Sequence, residues 1–180
     1  PVGMEFVMNR SVSGKTLLEL MIALTLLSAL TGIAYPSFTR MLNAQQLLAH
    51  QHLLHAHLNL ARHQAVSGGR PVVVCPREGR GCAGGPGDWS LGWLVFEDIA
   101  GHSSCDLDDE ALRCSDHGGR VLAVGPVVEQ LEIMANQNVA RRVRFNAMGM
   151  SYGYTGRFSI CDQRGLAAPL GLVIAQSGRV

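Results

Sequence analysis

Charge is scarce in this chain. Only 16% of its 180 residues are charged, 47% are hydrophobic, and the mean hydropathy is positive. That balance excludes a disordered or collagen-like polymer and sends part of the apolar content to a membrane segment. The length suits about one domain. Lysine is nearly absent, arginine supplying 14 of the 15 basic residues. No CxxC pair occurs among the five cysteines, which argues against a zinc site. Cys161 has no histidine within 40 residues, so a cysteine nucleophile lacks a local base and no catalytic constellation is recognisable. The formal net charge of +1 speaks against strong nucleic-acid binding by the chain as a whole, yet it hides a split. Residues 78–132 hold 11 acids against Arg80, Arg113 and Arg120, whereas residues 141–180 hold six arginines against Asp162 alone. Such asymmetry is a statement about partners.

From Leu20 to Thr39 there are 20 residues without a charge, enough at 1.5 Å per residue to cross a bilayer core of about 30 Å. A cleaved secretory signal, a plain anchor and a segment processed ahead of the apolar run all compete for it. Thr31, Gly32 and Ala34 make a poor small-x-small cleavage site, which weighs against the first. Glu19 stands at the membrane boundary, five residues past Gly14. An intramembrane carboxylate costs on the order of 2.5–3.5 kcal/mol, so Glu19 needs either a partner or the wet headgroup level.

At Ser13-Gly14-Lys15-Thr16-Leu17-Leu18-Glu19-Leu20-Met21-Ile22 the chain resembles the type IV pilin and pseudopilin superfamily. The resemblance implies that a prepilin peptidase cuts between Gly14 and Lys15 and methylates the new terminus. It also implies that Glu19 pairs with the terminal amine of a neighbouring subunit. The first mature residue is usually Phe in that family; here it is Lys15. A leader starting at Met8 is of normal length, so residues 1–7 read as an extension. The implied organisation is a leader at 1–14, a transmembrane and assembly segment at 15–42, and a soluble domain at 43–180 with helix 43–66 and sheet 70–180. The implied location is the bacterial inner membrane, single-pass, with the C-terminal domain in the periplasm, and then a cell-surface pilus. Other pilins or pseudopilins are the implied partners.

Helix-forming residues predict one helix from about Thr16 to Val66, 51 residues or roughly 76 Å, stopped by Ser67-Gly68-Gly69 and kinked or locally melted at Pro36. Leu47, Leu54, Leu58, Ala61 and Ala65 share one arc, the stripe that would dock on a sheet. His52, His55 and His63 fall opposite, with His50 and His57 flanking the stripe. Without a carboxylate or cysteine beside them they read as a solvated face rather than a metal site.

After Gly69 short apolar runs alternate with glycine and proline: 71–75, 89–96, 120–124, 126–133, 139–145, 157–161 and 170–175. Helix first and strands afterwards predict an α+β fold, a long kinked N-terminal helix packed on a mostly antiparallel sheet. In an exported domain the cheapest local disulfides are Cys75–Cys82 and Cys105–Cys114, with Cys161 left over, although spacing alone leaves connectivity open. No metal or cofactor is expected.

The segments Val72-Val73-Val74-Cys75-Pro76, Trp89 to Asp98, Val143 to Gly149, Phe158 to Asp162 and Ser177-Gly178-Arg179-Val180 resemble the FimT/GspH branch of minor pilins and pseudopilins. FimT-like members are implicated in binding DNA for natural transformation through basic residues near a Gly-Arg tail, which Gly178-Arg179 matches. Carried over, double-stranded DNA meets Arg141, Arg142, Arg144, Arg157, Arg164 and Arg179. Strand alternation over 139–145 puts Arg142 and Arg144 on a solvent face. GspH-like members instead sit in a type II secretion pseudopilus and contact proteins. A scattered set of arginines paired with the acidic middle segment is the plainer alternative.

Overall fold

The computed structural model describes residues 16–116 and 118–180, so the expected cleavage residues Gly14 and Lys15 lie outside the described residues. Helix α1 runs Leu17–Gly68. It starts where Thr16 caps it: Thr16 Oγ1 accepts the Glu19 N–H at 3.3 Å, and the Thr-x-x-Glu spacing is that of a capping box. It ends where Gly69 takes a left-handed φ of +61°, as a residue without Cβ can. The helix passes Pro36 without interruption, so the expected local melting does not occur.

The chain divides into two compact units between Thr39 and Arg40. In the first, the large apolar side chains of α1 from Leu17 to Leu30, with Tyr35 and Phe38, are exposed, and the segment is long and apolar enough to cross a membrane. Four of its hydroxyls are satisfied within the helix: Thr25, Ser28, Thr31 and Thr39 donate to carbonyls three or four residues back.

The second unit holds the rest of α1 and the sheets. Strands β1 (Val72–Glu78), β2 (Gly81–Cys82), β3 (Trp93–Glu97), β6 (Val121–Val124) and β8 (Val143–Phe145) form one antiparallel sheet, with β1 between β3 and β8. Strands β7 (Leu131–Ala135), β9 (Gly156–Asp162) and β10 (Leu170–Ile174) form a second, and β4 (Leu107–Asp108) pairs with β5 (Arg113–Cys114). The uninterrupted apolar runs of β1 and β3 have a simple cause, because both faces of this sheet are buried. Val72, Val74, Trp93 and Val95 face a core shared with the helix stripe, in which Leu47, Leu54, Leu58, Ala61 and Ala65 are all buried. Val73, Cys75, Leu94 and Phe96 face a smaller core closed by Cys105, Leu107, Cys114 and Val121. Disulfides join Cys75 to Cys82 and Cys105 to Cys114, and Cys161 is free.

Three expected strands are shorter than their apolar runs. Trp89–Leu91 is a 3₁₀ turn capped by Asp88, and β3 begins only after Gly92, whose φ is +94°. Residues 126–130 lead into β7 through Gln130 in a left-handed conformation. Residues 139–142 belong to a turn closed by the Val139 and Ala140 N–H groups on Asn136 O, so β8 starts at Val143.

Candidate assembly helix and basic surface

Glu19 lies exposed in the first turn of α1, where its charge complements the positive end of the helix dipole. Leu17 and Leu18 precede it and Leu20, Met21, Ile22, Leu24 and Leu27 follow, each more than half exposed. An apolar surface of that length is not stable in water and belongs against lipid or other helices.

The second unit separates the six arginines into different roles. Arg144 was expected on a solvent face, but it is only partly exposed: Arg144 pairs with Val73 across β1 and β8, and Val73 belongs to the smaller core. Its guanidinium meets the fully buried Asp98 carboxylate at 3.2 Å, and Asp98 also accepts from Ser103 N and Oγ. Arg142 lies in the turn before β8, and its Nη1 donates to Ser103 O at 2.7 Å and His102 O at 3.4 Å. The expected solvent-facing pair is therefore absent. Arg164 is likewise occupied, donating to Asp162 at 3.0 Å and to the buried Asn43 of α1 at 2.8 Å, which ties the β9–β10 connection to the helix. Arg141 is exposed and donates to Gly84 O at 2.8 Å. Arg157 and Arg179 are exposed, and their side chains have no polar partner among the described residues. Arg141 and Arg142 share a pocket, and Arg157 lines a separate groove with Asn136 and Val173.

Gly178, beside Arg179, is a packing position. Its φ is +74°, and a Cβ there would strike Gly149 O and approach Arg62 Nε to 3.1 Å. Arg62 on α1 donates to that same Gly149 O at 3.1 Å, so the closing turn is held against the helix.

Two helix histidines are also corrected. His55 is half-buried, with Nε2 at 3.1 Å from Asn59 Nδ2 and 3.4 Å from Val180 O, rather than on a solvated face. His57 Nδ1 accepts the Trp93 indole N–H at 2.9 Å, and burial lowers its pKa. Burial lowers that of His50 as well, whose Nδ1 is buried without a partner among the described residues. His52 and His63 are exposed. Among the described residues no three His, Cys, Asp or Glu side chains gather to hold a metal. At Asp162, burial pushes the carboxyl up, but hydrogen bonds from the Arg164 side chain and backbone, the guanidinium charge and the Leu166 N–H bring it below its ordinary value.

The residues that sequence reasoning missed, Asp98, Asn43 and His57, act across long separations in the chain. Gly84 was missed as well, although the glycine-rich stretch Gly84-Gly85-Pro86-Gly87 is a local signal that could have found it.

The family model of type II transport protein GspH matches residues 51–178, and the prokaryotic N-terminal methylation motif matches residues 9–35. Two crystal structures of the type IV minor pilin FimU of Pseudomonas aeruginosa (strain PAO1) match with TM-scores of 0.53 and 0.52, at 22% and 21% identity. They cover 79% and 73% of this chain and 89% and 88% of their own, a likeness of fold. No curated protein matches the chain.

Proposed function

The chain belongs to the GspH family of minor pilins and pseudopilins, and from that premise we propose that it is a non-catalytic filament subunit, held in the inner membrane by α1 and displaying its C-terminal domain in the periplasm and then on a pilus. The observation that carries this reading is the N-terminal methylation motif running directly into an exposed apolar helix ahead of the GspH region. Prepilin peptidase cuts between Gly14 and Lys15, residues 1–14 leave, residues 15–42 insert and later pack with other pilins, and residues 43–180 form the displayed part. Glu19, stripped of water among helices, is neutralised by a neighbour's terminal amine.

The test is co-expression with a prepilin peptidase and mass spectrometry of the product. The expected product starts at a methylated Lys15; Gly14→Val abolishes its formation, and Glu19→Ala is processed normally but is lost from sheared filaments. An uncut chain, or a Glu19→Ala variant that still assembles, overturns the reading.

For the displayed surface we propose nonspecific contact with double-stranded DNA through Arg141, Arg157 and Arg179, the three of the six arginines that are exposed and lack a carboxylate partner among the described residues. With three phosphates engaged, the log–log salt slope should be no steeper than about −2.7. The other reading, a type II secretion pseudopilin contacting other pseudopilins or secreted proteins, draws on the GspH match. A duplex titration at about 50 and 200 mM salt separates them: binding that weakens with salt and is lost in Arg141→Ala/Arg157→Ala/Arg179→Ala supports DNA contact, and no binding at the lower salt favours protein partners.

A further inference from the structure

Arg141 and Arg142 converge with a glycine loop on a pocket that the filament reading leaves unused. The pocket has a volume of about 280 Å³ and is walled by the Cys75–Cys82 disulfide, Gly84 and the 102–104 turn. The guanidinium of Arg141 is tied to Gly84 O at 2.8 Å and that of Arg142 to Ser103 O at 2.7 Å, and all four residues line the pocket. A guanidinium carries five N–H donors, so each fork keeps most of them unspent. Both anchors are neutral carbonyls. Arg144 and Arg164, by contrast, are each matched by a buried carboxylate. The charge of Arg141 and Arg142 is therefore left uncompensated within the pocket, which no Asp or Glu lines. Two acids bond residues of its wall without lining it: Asp98 accepts from Ser103 N and Oγ while it pairs with Arg144, and Asp116 accepts from Ser104 Oγ at 3.5 Å. The Gly84 N–H has no acceptor among the described residues, and there is nothing within 4 Å of where its Cβ would be, so the backbone is open to approach.

We propose that this pocket binds a phosphate-type oxyanion, received by the two guanidinium forks with the Gly84 N–H as a further donor. Planar forks match two oxygens of a tetrahedral anion, and a glycine lets the backbone donor come close without a side chain in the way. The shared chemistry fits free phosphate or a phosphodiester group. The proposal does not rest on filament assembly or on DNA contact, and it survives the failure of either.

The test uses the full chain in detergent micelles, with thermal unfolding followed in potassium phosphate and in potassium chloride at matched ionic strength. Phosphate should raise Tm by about 2–4 °C over chloride. Gly84→Asp brings a carboxylate to the part of the wall where Arg141 is tied, at a position with room for a Cβ and with Arg142 untouched; it should fold normally in chloride and lose the phosphate increment. Arg141→Ala, which removes an exposed side chain, should lose most of it. An increment equal in the parent and in Gly84→Asp would reflect general salting of the surface and overturns the proposal, as does the absence of any increment. A short DNA duplex then identifies the source: a duplex that abolishes the phosphate increment assigns the pocket to a phosphodiester, and one that leaves it intact assigns it to free phosphate.

Discussion

The Trp93–His57 contact decides more at the residue scale than any exposed charge. A buried indole N–H needs an acceptor, and only an imidazole with Nδ1 unprotonated supplies one. Because burial lowers the His57 pKa, the contact contributes fully above the ordinary histidine value of about 6.5 and is lost as pH falls through the lower folded value. His57→Gln keeps an acceptor without the titration, and should flatten the pH dependence of stability between about pH 7 and 5 in denaturant titrations. His57→Leu leaves the indole unsatisfied and should cost about 1–3 kcal/mol at neutral pH. Asp162 works at lower pH. Its carboxyl is held below the ordinary value by Arg164, so its contribution is complete above about pH 4 and is lost on further acidification. Asp162→Asn should therefore remove part of the acid-induced unfolding below about pH 4, measured by circular dichroism.

Among the elements, the helix stripe and the β4–β5 excursion close the two faces of one sheet. Leu58, fully buried in the stripe, should cost about 2–5 kcal/mol on truncation to alanine, read from the urea midpoint. The Cys105–Cys114 disulfide closes a short loop, with a sequence separation of 9, and holds the excursion over Phe96 and Leu94. Replacing both cysteines by serine should cost about 2–3 kcal/mol by the loop-closure relation. It should also raise hydrogen exchange in β4 and β5 before β9 and β10. The helix and its stripe were legible in the sequence because a period of 3.6 survives over many turns. The ends of β3, β7 and β8 were not, because apolar runs there continue into turns set by Gly92, Gln130 and Asn136.

At the scale of the whole molecule, the apolar content is unevenly divided. The exposed run from Leu17 to Phe38 belongs to one compact unit, while residues 40–180 carry both cores and both disulfides. A fragment of residues 40–180 should remain soluble without detergent, whereas the full chain should stay with the membrane pellet after a high-salt wash. Release of the full chain by salt would mean that charge, not apolar surface, holds it there. The acidic middle and basic end of the sequence meet in the fold: Asp98 lies in the acidic stretch and Arg144 in the basic one, and a buried carboxylate and a partly exposed guanidinium pair there at 3.2 Å.

The amino-acid sequence by itself determined the order of the molecule: an apolar span, a long helix with one docking stripe, then antiparallel strands. Each of these rests on local periodicity or on a run of one kind of residue, and such signals need no knowledge of distant neighbours. The roles of the arginines were decided only by the tertiary structure. Alternation along residues 139–145 predicts which side a residue faces but not whether that side is covered, and here the 98–116 segment covers it. Whether an arginine is a clamp, as Arg164 is, or an open charge, as Arg157 is, depends on which carboxylate the fold brings within about 3 Å, and that is a property of packing.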